Sequence, residues 1–241
     1  MNAPDVMAKL EKLGKESTRR TWLRHGVREQ TFGVAYADLY ALQKRVGVDH
    51  PLARELWGSG VHDARILATL VADPQACTAK DLDAWVGAAG YTLLADAVSV
   101  LAGKSPHAAK LADKWRASRK EWTSAAGWGL VARIAAPGGG ATDAWLEERL
   151  EEIRAGVGAA PNRTRHAMNT ALISIGGYRP ALRDRALAVA KAIGKVEVDH
   201  GDTDCKTPDA ASYIAKMAAR ASAKKSAPKP KARAKSAAHS R

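Results

Sequence analysis

The chain has 241 residues, 46% of them hydrophobic, enough to bury one large core or two small ones. Its 38 Lys and Arg outnumber its 25 Asp and Glu, for a net charge of +13, and no stretch approaches the roughly 20 apolar residues of a membrane-spanning helix. A helical membrane protein and a disulfide framework are both excluded, since the two cysteines, Cys77 and Cys205, lie far apart; with no apolar signal core at the amino terminus, a folded, soluble protein in a reducing cytoplasm is expected.

Aromatic content is only 5%, with seven Trp and one Phe, while alanine is abundant and β-branched runs are scarce. This favours helices in close contact over sheets. In chain order, Asp49-His50-Pro51 opens a helix reading DxxLAxxLW to Trp57, and Val61, Ala64, Leu67 and Val71 form the stripe of the next. Asp73-Pro74 breaks the pattern and Thr78 caps a new start. After Gly103-Lys104-Ser105-Pro106 comes a stripe of Ala108, Leu111 and Trp115, whose segment PxxAKLADKW echoes the earlier one. Pro137-Gly138-Gly139-Gly140 and the capping Thr142 precede Leu146, Leu150 and Ile153. Arg179-Pro180 precedes Leu182, Ala186, Val189 and Ile193. Thr207-Pro208 marks a last start, with proline at the first helical position. About twelve helices fit in the first 220 residues on this periodicity. The one strand candidate, Lys195-Val196-Glu197-Val198, is short and solitary, so the chain is expected to be all-α. Trp57 and Trp115 are expected to pack between helices. Periodicity leaves both a globular bundle and a stack of antiparallel pairs open, because each buries one stripe per helix.

Residues 1–220 are therefore expected to form one helical domain, followed by a tail from 221 to 241. Residues 222 to 241 hold seven Lys and Arg and no acid, leaving +6 on the rest. Rich in Ser, Ala, Pro and Lys, that tail has too little apolar surface to offset its ordering entropy, and it is expected to be disordered and to attract nucleic acid. Within the body, Lys44, Arg45, Arg65, Lys104, Arg119, Arg163, Arg165 and Arg179 stand near helix ends and turns and are the expected DNA-contacting cations. His25, His62 and His166 have no triad partners, and the loop with Asp199, His200, Asp202, Asp204 and Cys205 lacks a second pair of soft ligands. It is expected to hold the last helix through side-chain-to-backbone bonds. No metal or cofactor is expected.

A set of blocks adds what periodicity does not. They are Phe32-Gly33-Val34 through Asp38-Leu39, Leu52-Ala53-Arg54-Glu55-Leu56-Trp57 through His62-Asp63-Ala64-Arg65, Asp83-Ala84-Trp85-Val86, Glu121-Trp122, Arg165-His166-Ala167-Met168-Asn169-Thr170-Ala171-Leu172, and Val198-Asp199-His200-Gly201-Asp202 through Pro208. From about residue 20 to 218 their order and spacing resemble the DNA alkylation repair glycosylases built from HEAT-like helical repeats. The resemblance implies a C-shaped α-α superhelix, a HEAT-like solenoid whose concave basic face holds duplex DNA. It also implies a monomer that needs no metal and releases cationic bases such as 3-methyladenine and 7-methylguanine.

In that chemistry a carboxylate steadies the cation developing on the deoxyribose, tryptophans pack the sugar and backbone, and an arginine holds a phosphate. The resemblance carries the carboxylate onto Asp96, eleven positions after Trp85. The two tryptophan positions fall at Thr92 and Thr170, and the arginine position at Ala125. Two functions follow as expectations: a repair protein that binds duplex DNA as a glycosylase working through Asp96, or a noncatalytic HEAT-like scaffold that recognises distorted DNA or a protein partner.

Overall fold

The computed structural model describes residues 1–226, and among these every regular element is a helix. There are thirteen α-helices: α1 (Ala3–Leu13), α2 (Glu16–Arg24), α3 (Tyr36–Val46), α4 (His50–Gly58), α5 (His62–Val71), α6 (Ala79–Ala88), α7 (Thr92–Ala102), α8 (Ala108–Arg116), α9 (Glu121–Ala135), α10 (Asp143–Gly156), α11 (Asn162–Tyr178), α12 (Arg183–Ile193) and α13 (Ala210–Ser226). Two one-turn 3-10 helices, Val157–Ala159 and Pro180–Leu182, join α10 to α11 and α11 to α12. The strand candidate at Lys195 to Val198 is irregular chain. The expected domain boundary at residue 220 falls inside α13, and most of the expected basic tail lies outside the described residues.

The helices form two rows. From α3 to α13 each odd-numbered helix packs beside the next odd-numbered one, while α4, α6, α8, α10 and α12 stand behind them. This is the expected α-α superhelix, with the odd row inside. All four apolar stripes face its core: Leu67, Val71, Leu146, Leu150, Ile153 and Ala186 are fully buried. Trp115 is buried too, its indole N–H donating to Asp83 at 2.7 Å, and Trp57 stacks flat on Trp85 at 4.2 Å. Gly127 lets α9 cross α8 at backbone contact, since a Cβ there would lie 2.1 Å from the Arg116 amide nitrogen.

Local chemistry sets the ends. Thr78 and Asp81 make a reciprocal capping box on α6, and the Thr142 hydroxyl accepts from the Trp145 amide to cap α10. The last helix starts later than Thr207-Pro208 suggests: the Asp209 carboxylate accepts from the Ser212 amide at 2.8 Å, and α13 begins at Ala210. Aspartate competes well for the cap position. The freed Thr207 hydroxyl bonds His200 Nε2 at 2.9 Å, while Asp199 accepts from the Gly201 amide and Thr203 donates to the His200 carbonyl. These bonds fold the loop on itself, two of them side chain to backbone, and none of the three reaches α13.

The Phe32-Gly33-Val34 block owes its form to Asp63 in the first turn of α5. This buried carboxylate accepts from the Thr31 hydroxyl at 2.9 Å and from the Phe32 and Val34 amides at 2.7 Å each. Between those donors Gly33 sits at φ +81°, pressed against the Lys15 carbonyl, where no side chain fits.

Candidate nucleic-acid interface

Three inner helices, α7, α9 and α11, enclose an open groove of about 510 Å³. Each contributes one stripe at helical spacing: Asp96, Val100 and Gly103 from α7 and its end, Gly129, Ala132 and Arg133 from α9, and His166, Thr170, Ser174 and Tyr178 from α11. Small residues dominate, so the wall is low and the charged groups stand above it. A much smaller hollow adjoins the groove, lined by Thr92, Asp96, Trp122, Ala125, Arg163 and His166. Asp96 borders both. The three positions that the resemblance singled out, Thr92, Ala125 and Thr170, therefore converge around Asp96 from three different helices.

Water reaches the Asp96 carboxylate along the groove, yet the flanking helices crowd it and leave it less hydrated than a carboxylate on a convex surface. That loss of solvation raises its pKa to about 6, against the pull of Arg133 and Arg163 in the other direction. The same crowding lowers the Arg133 pKa, an effect opposed by Asp96. Burial, with the neighbouring His200 and Arg163, lowers that of His166, whose ring meets His200 edge-on at 5.6 Å. Asp96 is the one acid among the lining residues; Lys104, Arg133 and Arg163 are the cations.

The expected cations divide into two groups. Lys104 lines the groove and Arg163 its adjoining hollow. Lys44 and Arg45 are exposed in the last turn of α3, and Arg119 is exposed in the turn before α9. The other three are tied to the protein. Arg65 pairs with Glu29, donates to the Trp57 carbonyl at 3.2 Å and lies over the Trp57 ring. Arg165 donates to the Glu197 and Ala160 carbonyls, and Arg179 to those of Ala135, Ile134 and Ala141. Arg133 was not among the expected cations. Its signal was a lone arginine in the small-residue stripe of an otherwise apolar helix.

At the rim of the inner row, Arg24 and His25 at the end of α2 face Asp202 to Cys205 across a cleft of about 340 Å³. Among the described residues no three His, Cys, Asp or Glu side chains are grouped to hold a metal ion. No described helix is long and apolar enough to cross a membrane.

The family model of the DNA alkylation repair enzyme matches residues 6–214. The chain belongs to the DNA alkylation repair enzyme family. Within it, the chain is 30% identical over 215 residues to the uncharacterized protein Lin0241 of Listeria innocua, covering 86% of this chain and 93% of that one. It is 29% identical over 213 residues to the uncharacterized protein Lmo0209 of Listeria monocytogenes, with the same coverage. Among solved structures it is similar to a member of a new family of proteins related to the HEAT-like repeat DNA glycosylases with affinity for branched DNA structures. That match has a TM-score of 0.84 and 31% identity, and covers 92% of this chain and 95% of the other. The two-row superhelix of this DNA alkylation repair family member is thus the HEAT-like, glycosylase-related fold.

Proposed function

We propose that the chain binds branched or otherwise distorted DNA along the groove of α7, α9 and α11, and does so without excising a base. The observation that carries this reading is the ring of small residues, Thr92, Ala125 and Thr170, around Asp96. A carboxylate steadies a developing sugar cation only if the sugar is held against it, and threonine and alanine offer neither aromatic walls nor a phosphate clamp for that. Backbone binding does not depend on that clamp alone, because Lys104, Arg133 and Arg163 need only face phosphates. The affinity for branched DNA described for the similar structure supports the choice of ligand.

The second reading, a glycosylase for cationic purines working through Asp96, is favoured by the carboxylate's place on the groove. Two measurements decide between them. In the first, the wild-type chain is titrated with a fluorescent four-way junction and with a duplex of the same arm sequence; tighter binding of the junction is expected. In the second, duplex carrying 7-methylguanine is incubated with wild type and Asp96→Asn, and free base is measured. Release by wild type that Asp96→Asn abolishes would replace the proposal with the second reading.

A further inference from the structure

We infer that the face of α3 bearing Tyr36, Tyr40 and Lys44 is a stacking subsite for an unpaired nucleobase at a DNA branch point. The inference rests on the proposed DNA-binding role and adds the group that tells branched DNA from plain duplex.

Spacing of four residues sets Tyr36, Tyr40 and Lys44 one above the other along α3. The helix belongs to the inner row, packed beside α5, which in turn packs beside α7 and the groove. Tyr36 is the anchored member. Its ring stands edge-on to Trp22 at 5.5 Å, and Trp22 is itself fixed by an indole N–H bond to the Val34 carbonyl at 3.2 Å and by the His62 ring behind it. Tyr40 is the presented member. Its ring centroid lies 6.0 Å from that of Tyr36 at a 33° tilt, and 47% of the residue is exposed. An aromatic ring held from behind and open in front loses little freedom when a base settles on it. Lys44 follows one turn later, exposed and in no ion pair among the described residues, and Arg45 stands next to it. Aromatic rings followed by a cation along one stripe match the alternation of base and phosphate in a single strand.

Tyr36 lies within electrostatic reach of the groove. The Asp96 carboxylate is one of the charges, after burial and Tyr40, that keep the Tyr36 hydroxyl protonated up to about 12. With α3 beside α5 and α5 beside α7, a strand held by Lys104, Arg133 and Arg163 would run on toward α3. A fully paired duplex has no free base face to offer there. A branch point with unstacked bases has one, so a stacking group on α3 acts selectively on branched DNA, while the groove cations act on both.

The test uses the full chain as wild type, Tyr40→Ala, Tyr40→Phe and Lys44→Ala. Ligands are a three-way junction with two unpaired bases at the branch, one of them 2-aminopurine, and a fully paired duplex of the same arms. Stacking on a tyrosine quenches 2-aminopurine. Wild type and Tyr40→Phe should quench it, and Tyr40→Ala should not, while losing roughly tenfold or more in junction affinity and keeping its duplex affinity. Lys44→Ala should weaken junction binding and lower its salt dependence. Quenching that persists in Tyr40→Ala, or an equal loss on both ligands, overturns the subsite. Should wild type bind junction and duplex alike, the proposed preference for branched DNA fails. The subsite is then judged on a single strand carrying 2-aminopurine, where quenching lost in Tyr40→Ala upholds it and unchanged fluorescence overturns it.

Discussion

Asp96 opposes the cations that line the same groove. At neutral pH its carboxyl, with a pKa near 6, is ionised, and on the proposed reading it would repel phosphates drawn to Lys104, Arg133 and Arg163. Lowering the pH through 6 removes that repulsion, so DNA affinity should rise in this window at fixed ionic strength. Asp96→Asn should bind more tightly than wild type at pH 7.5 and show a flatter pH profile. Some slope should remain, because His166, its pKa lowered by burial and by His200 and Arg163, also gains charge as the pH falls and acts in the same direction. Anisotropy titrations between pH 5 and 8 check this, and weaker binding by Asp96→Asn at pH 7.5 would contradict it. Stability follows the same protons. The native carboxyl keeps its proton from the ordinary 3.8 up to about 6 while the unfolded one has lost it, so stability falls as pH rises across that interval, and the substitution flattens the fall. Among single residues, Asp96 was legible only through its place in a family pattern. Its direction was not, since the surrounding run Leu93 to Leu101 is apolar on nearly every side.

The helices themselves were largely legible, because most bury one stripe and turns with Pro, Gly or a capping hydroxyl separate them. What periodicity left open was which row each helix joins. On α9 the difficulty has a physical cause: from Ser124 to Ala135 almost every residue is buried, so no polar face marks the side that lines the groove. The same dense packing yields a test. Gly127→Ala sets a methyl group against the backbone of Trp115 and Arg116, atoms that have no rotamer to move into, and should cost about 3 kcal/mol in urea unfolding. Gly177→Ala meets the thioether end of Met217, which can swing aside, and should cost about 1 kcal/mol or less. Equal costs would mean that the α8–α9 crossing is softer than its geometry implies. The late start of α13 was missed for a simpler reason, as three potential caps, Thr203, Thr207 and Asp209, crowd one loop.

Charge is sorted across the whole molecule. Glu147, Glu148, Glu151 and Glu152 all lie on α10 in the outer row, where Arg116, Arg149, Arg154 and Arg185 neutralise them; the guanidinium of Arg149 is buried among three carboxylates. Acid is held at the back and its cations with it, so the inner row keeps an excess of positive charge. Composition alone did not reveal this, because the net charge counts paired and unpaired cations alike. Binding to DNA should consequently weaken with salt at a slope of about 0.9 per phosphate engaged, and most of that slope should survive removal of residues 227–241. A slope that vanishes with those residues would place the electrostatic contact outside the helical body.

The cleft between α2 and the loop before α13 has a practical corollary. Its Cys205 is exposed, whereas Cys77 is buried and its thiol is pushed up to about 11 by loss of solvation and two nearby aspartates. A maleimide at neutral pH therefore finds one reactive sulfur in the chain. It leaves a fluorophore opposite Arg24 and His25, at the seam where the first helices meet the last loop, without a single engineered residue.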